Sequence, residues 1–204
     1  MTAKVVYLTR LRLKSRLMIP RFFFADIPIT VQLMRAPGFL GGASVMERHA
    51  VFWTMSLWES EAAMRAFKTG GAHGRVMPKN VDWSIESAGA GWVRDTLPSW
   101  QEAHAHLVAH GHATPVRKPT PDHSTRNYAP PRPLLRFVFP SPPRGGGIVM
   151  SLENSWRAGQ MTRSHTRIAR HVAAEIVRKW SSPNPPLFAY SSYTILSTSL
   201  MRSI

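Results

Sequence analysis

Hydrophobic residues near the start of the chain follow first a strand period and then a helix period. Residues 4 to 13 alternate between apolar and polar, and Thr9 interrupts the apolar face of this predicted strand. Residues 15 to 35 repeat at helical spacing instead, and we expect Pro28 to kink or divide that helix. The stripe predicted to be buried on the helix consists of Leu17, Phe24, Ile27, Val31 and Met34.

Two further strands are predicted on either side of a polar turn at residues 47 to 49. Residues 39 to 46 form one strand, and residues 50 to 57 form the next. One face of the later strand is continuously apolar and consists of Val51, Trp53, Met55 and Leu57. The opposite face is mixed and consists of Phe52, Thr54, Ser56 and Trp58. We expect the mixed face at a pocket or at a dimer contact.

A helix, a second helix and a fourth strand complete the pattern. Ser60 is expected to cap the first helix, which ends at Gly70-Gly71. Pro78 favours a fresh helix start near Met77, and residues 88 to 93 form a short strand of small residues. The order strand, helix, strand, strand, helix, strand predicts an α+β fold. It is a ferredoxin-like βαββαβ protomer with a four-stranded antiparallel sheet and helices on one face.

The rest of the chain is predicted to extend this domain. A helix over residues 97 to 111 completes a domain of residues 1 to 111. Residues 112 to 147 are rich in proline and are expected to form a linker or an arm, with one added strand at Leu134 to Phe139. Residues 148 to 204 form a basic tail, expected to be poorly ordered. Its one amphipathic helix, Thr162 to Trp180, cannot bury its own apolar face.

Composition narrows the classes of function. The chain has 26 Lys and Arg against 11 Asp and Glu, a formal net charge of +15, but no run of five or six like charges. A solvated basic surface is therefore favoured over nucleic-acid or membrane binding. With no cysteine, disulfides, thiolate metal sites and a cysteine nucleophile are excluded. Charges and prolines interrupt the apolar residues 17 to 34, and the N-terminus lacks the order of a signal peptide, so we expect a soluble, cytoplasmic protein.

Four short segments resemble the antibiotic-biosynthesis-monooxygenase-like group of the dimeric α+β barrel superfamily. They are Ala36 to Gly42, Phe52 to Ser60, Ala63 to Phe67, and Ala72-His73. The resemblance covers residues 3 to about 95. It implies a ferredoxin-like protomer, a homodimer in which two sheets form a barrel, and a pocket between the sheet and the helices of each protomer.

The activities in that group set the expectations for chemistry. Some members are cofactor-free monooxygenases of polyketide aromatics, and others bind or degrade haem. The resemblance places Met77 where the haem-degrading members carry their axial His, so that match is broken, and His73 is kept as an alternative haem ligand. The Asn that those members carry on the first strand has no clear counterpart, and Thr9 is the nearest polar residue there.

His73 is the candidate catalytic residue. It lies between a glycine pair and a short helix, and a neutral imidazole can act as a base or orient a substrate. The alternative is a polar residue at a helix end that bonds to the backbone. The candidate substrate-binding residues are Phe52, Thr54, Ser56, Trp58 and Trp83. Aromatic residues in strands also serve as core or dimer contacts, and this alternative stays open.

A histidine-rich segment at residues 104 to 112 has the spacing of a chelate but lacks its other ligands. His106 and His110 are four residues apart on one helix, which allows both to reach one metal ion. No adjacent glutamate and no partner carboxylate accompany them. We therefore predict a solvated helix face here and no metal site.

Together these features predict a small monooxygenase-like oxidoreductase that acts on a hydrophobic or aromatic small molecule without a cofactor. One alternative is a non-catalytic dimer that binds haem or another small ligand. The other is a structural dimer whose basic tail binds acidic partners.

Overall fold

The computed structural model describes residues 3 to 140, which contain one six-stranded antiparallel sheet. The strands are β1 (Val5–Leu13), β2 (Phe39–Glu47), β3 (Val51–Trp58), β4 (Ser84–Val93), β5 (His112–Ala113) and β6 (Leu135–Pro140). Their order is β5-β4-β1-β3-β2-β6. The inner order β4-β1-β3-β2 is that of a ferredoxin-like fold, so the α+β prediction is confirmed. The sheet has six strands rather than four, because the chain after residue 111 adds one strand at each edge, and β6 is the added strand predicted near residues 134 to 139.

Helices cover both faces of the sheet. They are α1 (Ile19–Met34), α2 (Glu61–Thr69), α3 (Gly71–Trp83), α4 (Trp100–His110) and α5 (Pro121–Thr125). Leu33 of α1 and Met64 of α2 pack with Trp58 on one face. Leu107 of α4 packs with Trp53 on the other. Within the βαββαβ unit, α1 to α3 lie on one face as predicted, and the chain after β4 folds back across the second face.

The ends of the helices follow the capping residues, but the internal prolines do not set boundaries. The Ser60 hydroxyl accepts a hydrogen bond from the Ala63 amide and caps α2 as predicted. Gly71 has a φ of 56°, which lets α3 begin directly after α2. Pro28 does not divide α1, and α3 starts at Gly71 and runs through Pro78 rather than starting near Met77. Packing of α1, α2 and α3 on the sheet stabilises these helices although each proline removes a backbone hydrogen bond.

The face that α1 buries agrees with the predicted stripe at Met34, which is 4% exposed, but differs from it along the rest of the helix. Leu17 precedes the helix and is 84% exposed. Residues on the inner face of α1 are Phe22, Asp26, Ile29 and Leu33. Because α1 is apolar almost all round, hydrophobic spacing does not define which side faces the sheet. By length and composition alone, Arg16–Met34 is the one described helical span that could cross a membrane, with a mean hydropathy of 1.3.

Residues 112 to 134, which we call the arm, cross the second face of the sheet. The arm is bonded to the end of α3 and to β4 through its backbone, with Arg117 N donating to Val81 O at 2.9 Å and Thr114 N donating to Ser87 O at 2.8 Å. It reaches β2 where Leu134 N donates to Met46 O at 2.8 Å. The predicted basic tail of residues 148 to 204, with its helix Thr162 to Trp180, lies outside the described residues.

Candidate small-molecule site

Two adjacent rows of small or polar residues cross the sheet beneath α1, α2 and α3. One row consists of Gly89, Thr9, Thr54 and Ser44. The next consists of Gly91, Tyr7, Ser56 and Gly42. The flanking rows carry large side chains, with Leu11 opposite Phe52 on one side and Val5 opposite Trp58 on the other. The large side chains of the flanking rows hold the helices away from the two rows of small or polar residues. A cavity of about 160 Å³ therefore remains between the sheet and the helices.

The structure brings most of the predicted site residues together at this cavity. Five of them border it: Thr54, Ser56, Trp58, His73 and Trp83. Phe52 does not, because its ring packs against Phe22 and Phe23 at centroid distances of 4.6 and 5.8 Å. The mixed face of β3 therefore forms the floor of a cavity, and Phe52 belongs to the hydrophobic cluster beside it.

His73 is held by two hydrogen bonds at the junction of α2 and α3. Its Nδ1 lies 2.8 Å from the carbonyl oxygen of Lys68, and its backbone N–H donates to Gln32 Oε1 at 2.9 Å. Since a carbonyl only accepts, Nδ1 carries the proton and Nε2 keeps a lone pair. Burial lowers the pKa of His73, and the nearby Lys68 charge lowers it further, against the opposite effect of the Lys68 carbonyl. The imidazole is therefore neutral at pH 7 and is able to accept a proton.

A tyrosine–lysine pair that sequence reasoning missed stands beside His73. Lys68 Nζ donates to the Tyr7 hydroxyl at 2.6 Å and lies 3.8 Å from the centre of the Tyr7 ring. The ring passes over β4, where a Cβ atom on Gly89 would lie 2.7 Å from the Tyr7 hydroxyl. The alternating glycines of β4 are the sequence signal, because they leave room for a large side chain on the neighbouring strand. The pair also borders an outer groove with Trp92 and Val93, so it lies between the cavity and the surface.

Asp26 is the second missed residue. It borders the cavity from α1, and Thr30 Oγ1 donates to its Oδ2 at 3.4 Å. Burial raises the pKa of Asp26 to about 6, and the hydrogen bond from Thr30 offsets only part of that effect. The sequence signal was a single acidic residue in an apolar helix. It was passed over because the predicted buried stripe lay on another side of α1.

The hydroxyl groups of Thr54 and Ser56 on the cavity floor are available as hydrogen-bond acceptors. The Ser44 hydroxyl donates to the Trp53 carbonyl at 2.9 Å, so the 3.1 Å contact between Ser44 and Thr54 uses the proton of Thr54. The Ser56 hydroxyl donates to the Tyr7 carbonyl at 3.3 Å and accepts from Trp58 Nε1 at 2.9 Å. The hydroxyl protons of Thr54 and Ser56 are therefore both used in hydrogen bonds within the protein.

The size of the cavity limits what can bind. Its volume of about 160 Å³ lies below the roughly 300–1,000 Å³ of sites for drug-sized ligands and close to the roughly 150 Å³ of a cavity that holds benzene. A volume of this size matches one aromatic ring. Met77, where the resemblance places the axial His of haem-degrading proteins, is 40% exposed at the cavity edge.

In the histidine-rich segment, the His106 and His110 rings lie 4.8 Å apart, but the other histidines do not join them. His104 Nε2 is bonded to the Tyr128 carbonyl at 2.7 Å, whereas the His106 ring stacks on Trp92 at 4.0 Å. Among residues 3 to 140, no group of three His, Asp or Glu side chains is placed to hold a metal ion.

Comparison with known proteins finds similarity in structure only. No protein-family profile matches the chain. No curated protein matches it by sequence. The PA3566 protein of Pseudomonas aeruginosa is 12% identical, with a TM-score of 0.41 over 47% of this chain and 98% of that one. A conserved protein of Methanosarcina mazei is 8% identical, with a TM-score of 0.42 over 46% of this chain and 95% of that one.

A third similar structure is SnoaB of Streptomyces nogalater, described as a cofactor-independent oxygenase. It is 19% identical, with a TM-score of 0.37 over 48% of this chain and 100% of that one. All three similarities concern the fold of roughly half of this chain.

Proposed function

We propose that this protein is a monooxygenase-like oxidoreductase that binds a small hydrophobic or aromatic molecule in the cavity between the sheet and α1 to α3. The observation that carries the proposal is the neutral His73 at the wall of a small cavity that is otherwise largely apolar. An apolar cavity favours a hydrophobic ligand, and an unprotonated imidazole can take a proton from it.

The chemistry that this geometry supports begins with the removal of a phenolic proton. Nε2 of His73 accepts the proton, and the resulting phenolate is electron-rich enough to give an electron to O2. A new C–O bond then forms at a ring carbon that carried hydrogen, and the O–O bond breaks. For a phenol with a free para position, phenol and O2 give a para-quinone and water, so oxygen is reduced and the ring is oxidised.

His73 has a second contribution, which is orientation. Its Nδ1–H is fixed on the Lys68 carbonyl and its ring packs on Phe67 at a centroid distance of 4.8 Å. The imidazole therefore cannot rotate freely, and Nε2 keeps one direction relative to the cavity. A base held in place by its other nitrogen is typical of catalytic histidines.

The test is oxygen uptake by the purified full-length chain in the presence of single-ring phenols. We expect uptake that depends on protein, and His73→Ala should lower the turnover rate by about 10²–10⁴-fold, the usual contribution of a general base. His110→Ala is the matched control, because His110 is exposed at the end of α4. No oxygen uptake with any phenol that binds, or full turnover by folded His73→Ala protein, would contradict the proposal.

Pairing of two copies and the role of the basic tail remain predictions. The arm and α4 lie on the sheet face that the barrel arrangement gives to the partner's sheet. A homodimer therefore has to form through another surface or displace the arm. Sedimentation of the full chain measures its mass directly. The salt dependence of nucleic-acid or liposome binding, compared between the full chain and a chain that lacks residues 145 to 204, tests whether the tail binds acidic partners.

A further inference from the structure

The cavity and the outer groove both border the Tyr7–Lys68 pair. The cavity holds about 160 Å³ beneath α1 to α3, whereas the outer groove holds about 550 Å³. Among residues 3 to 140, three side chains border both spaces: Tyr7, Met64 and Lys68. Met64 belongs to the hydrophobic cluster of Leu33 and Trp58, so the core fixes its position. Tyr7 and Lys68 are therefore the residues that decide whether the two spaces are joined.

The Tyr7 ring fills the passage between the two spaces. It lies over β4, where a Cβ atom on Gly91 would be 3.1 Å from Tyr7 Cδ2 and a Cβ atom on Gly89 would be 2.7 Å from the Tyr7 hydroxyl. Gly91 borders the groove and Gly89 borders the cavity, so the ring extends from one space toward the other. Neither glycine has a side chain that can close the passage in place of the ring.

Lys68 holds the ring in this position. Its Nζ donates to the Tyr7 hydroxyl at 2.6 Å and lies 3.8 Å from the centre of the ring. A cation is attracted to the face of an aromatic ring, and the charge-assisted hydrogen bond adds to that attraction. The backbone carbonyl of Lys68 also accepts the proton of His73 Nδ1. One residue therefore positions both the candidate base and the ring that closes the cavity.

The groove beyond Tyr7 offers apolar surface. Its lining includes Val5, Trp92 and Val93, and Val93 is 69% exposed. The charged residues Glu61 and Arg65, which also line the groove, are bonded to each other. Space and apolar contacts for a second ring are therefore present on the far side of the Tyr7 ring.

We propose that Tyr7 is the residue that limits the ligand to a single aromatic ring. A ligand with two fused rings is excluded because its second ring needs the volume that the Tyr7 ring occupies. Removal of that ring joins the cavity to the groove and admits the larger ligand. This inference rests on the proposed function in placing the ligand in this cavity, but it concerns size and not turnover.

The test compares phenol with 2-naphthol, which has one further fused ring, in binding to the full-length chain by calorimetry under nitrogen. We expect the unaltered chain to bind phenol about tenfold more tightly, the order of size discrimination by an apolar pocket. In Tyr7→Ala we expect 2-naphthol to bind about tenfold more tightly than phenol, because its second ring then buries apolar surface in the opened space. Equal affinities in the unaltered chain, or an unchanged ratio in folded Tyr7→Ala protein, would overturn the proposal.

Two further variants at the same position complete the test. Tyr7→Phe is the matched control, because it keeps the ring and removes only the hydroxyl that Lys68 holds. It should keep the preference for phenol, and a preference for 2-naphthol in this variant would refute the role of the ring. Tyr7→Leu keeps part of the apolar packing and serves where Tyr7→Ala does not fold. It should shift the ratio toward 2-naphthol by a smaller factor, and no shift would count against the proposal.

The outcomes separate this inference from the proposed function. A size limit that depends on Tyr7, without oxygen uptake, supports this inference and contradicts the oxygenase proposal. Oxygen uptake by an unaltered chain that binds phenol and 2-naphthol equally well does the reverse. Binding of neither phenol would contradict both.

Discussion

The buried carboxyl groups on the two faces of the sheet differ in how fully they are hydrogen-bonded. On the arm face, Glu86 is 2% exposed and is bonded to Arg10 at 2.6 Å, to Arg12 at 3.1 Å and to Thr120 at 2.8 Å. On the cavity face, Asp26 has one long hydrogen bond, from Thr30, and borders an empty space. The first arrangement fills its face of the sheet, and the second leaves a cavity.

Side-chain size explains why the faces differ. On the arm face, the Arg10 guanidinium carbon lies 3.9 Å from the centre of the Tyr128 ring and 5.4 Å from that of Trp53, so the cation is enclosed by aromatic rings. On the cavity face, two rows of small residues lie under helices that the neighbouring large residues hold away. Unfilled volume and partly satisfied polar groups are common features of binding sites, because function requires them at some expense of stability.

The largest expected effect is on the arm face. Glu86→Gln leaves the buried Arg10 cation without its counter-charge, and we expect the free energy of unfolding to fall by about 3 kcal/mol. Urea denaturation at pH 8 measures this change. The exposed Glu61→Gln, on the surface of α2, is the control and should have little effect. A loss below 1 kcal/mol would show that the arm face does not depend on this ion pair.

The pH dependence at Glu86 has a definite sign. Burial alone would raise the pKa of Glu86, but the hydrogen bond and charge of Arg10, with help from Thr120 and Arg12, lower it below its usual value. A carboxyl whose folded pKa is depressed stabilises the fold above its unfolded pKa of about 4.3, and this contribution is lost as the pH falls through the folded value.

Asp26→Asn on the cavity face should act in the opposite direction. Burial raises the pKa of Asp26 from 3.8 to about 6, so the ionised carboxylate destabilises the fold above pH 6. We expect the variant to raise the free energy of unfolding at pH 8 by about 2–3 kcal/mol, the equivalent of that pKa difference. The gain should disappear below about pH 4, where the carboxyl is protonated in the folded and unfolded states alike.

Denaturation of Asp26→Asn at several pH values, with Asp122→Asn as the exposed control, checks this prediction. A gain that stays the same from pH 4 to pH 8 would mean that ionisation of Asp26 is not its cause.

Gly89→Ala should have the smallest effect on stability and still alter the site. The new methyl group would lie 2.7 Å from the Tyr7 hydroxyl, which is the far end of a side chain and can move. Gly89 is buried, but the new methyl group displaces only the end of one side chain, so we expect a stability change of about 1 kcal/mol. Loss of the Tyr7–Lys68 bond should weaken binding of a single-ring phenol several-fold in calorimetry. Ala113→Gly in β5 is the control for binding. Gly111→Ala is unsuitable because its new methyl group would contact Leu107.

The sequence predicted the inner sheet because each strand is defined by local alternation. The sequence also marked the position of the cavity, because Thr9 and Thr54 are polar residues on the faces that border it. In the structure these two residues pair with each other across β1 and β3. That pairing depends on register between distant segments, which a single strand pattern does not contain. Thr54 was therefore predicted as a site residue from its own strand, while Thr9 was noted as an irregularity and as the nearest polar residue to the Asn of the haem-degrading members.

The inward position of Asp26 and the packing of the arm could not be predicted from local sequence patterns. The apolar character of α1 on all sides hid the inward position of Asp26, because spacing identifies a buried face only when the other face is polar. The arm is rich in proline and polar residues, and its hold on the sheet depends on single contacts such as Tyr128 on Arg10. Contacts of this kind leave no periodic pattern in the sequence. The composition therefore predicted a linker or an arm, but not where it packs.

The central claim is that one face of the sheet is closed for stability and the other is kept open for a ligand. Its most direct test is urea denaturation of Glu86→Gln and Asp26→Asn side by side at pH 8, since both replace a carboxylate by an amide. The account predicts opposite signs, with a loss of about 3 kcal/mol at Glu86 and a gain of about 2 kcal/mol at Asp26. Destabilisation by both substitutions would contradict it.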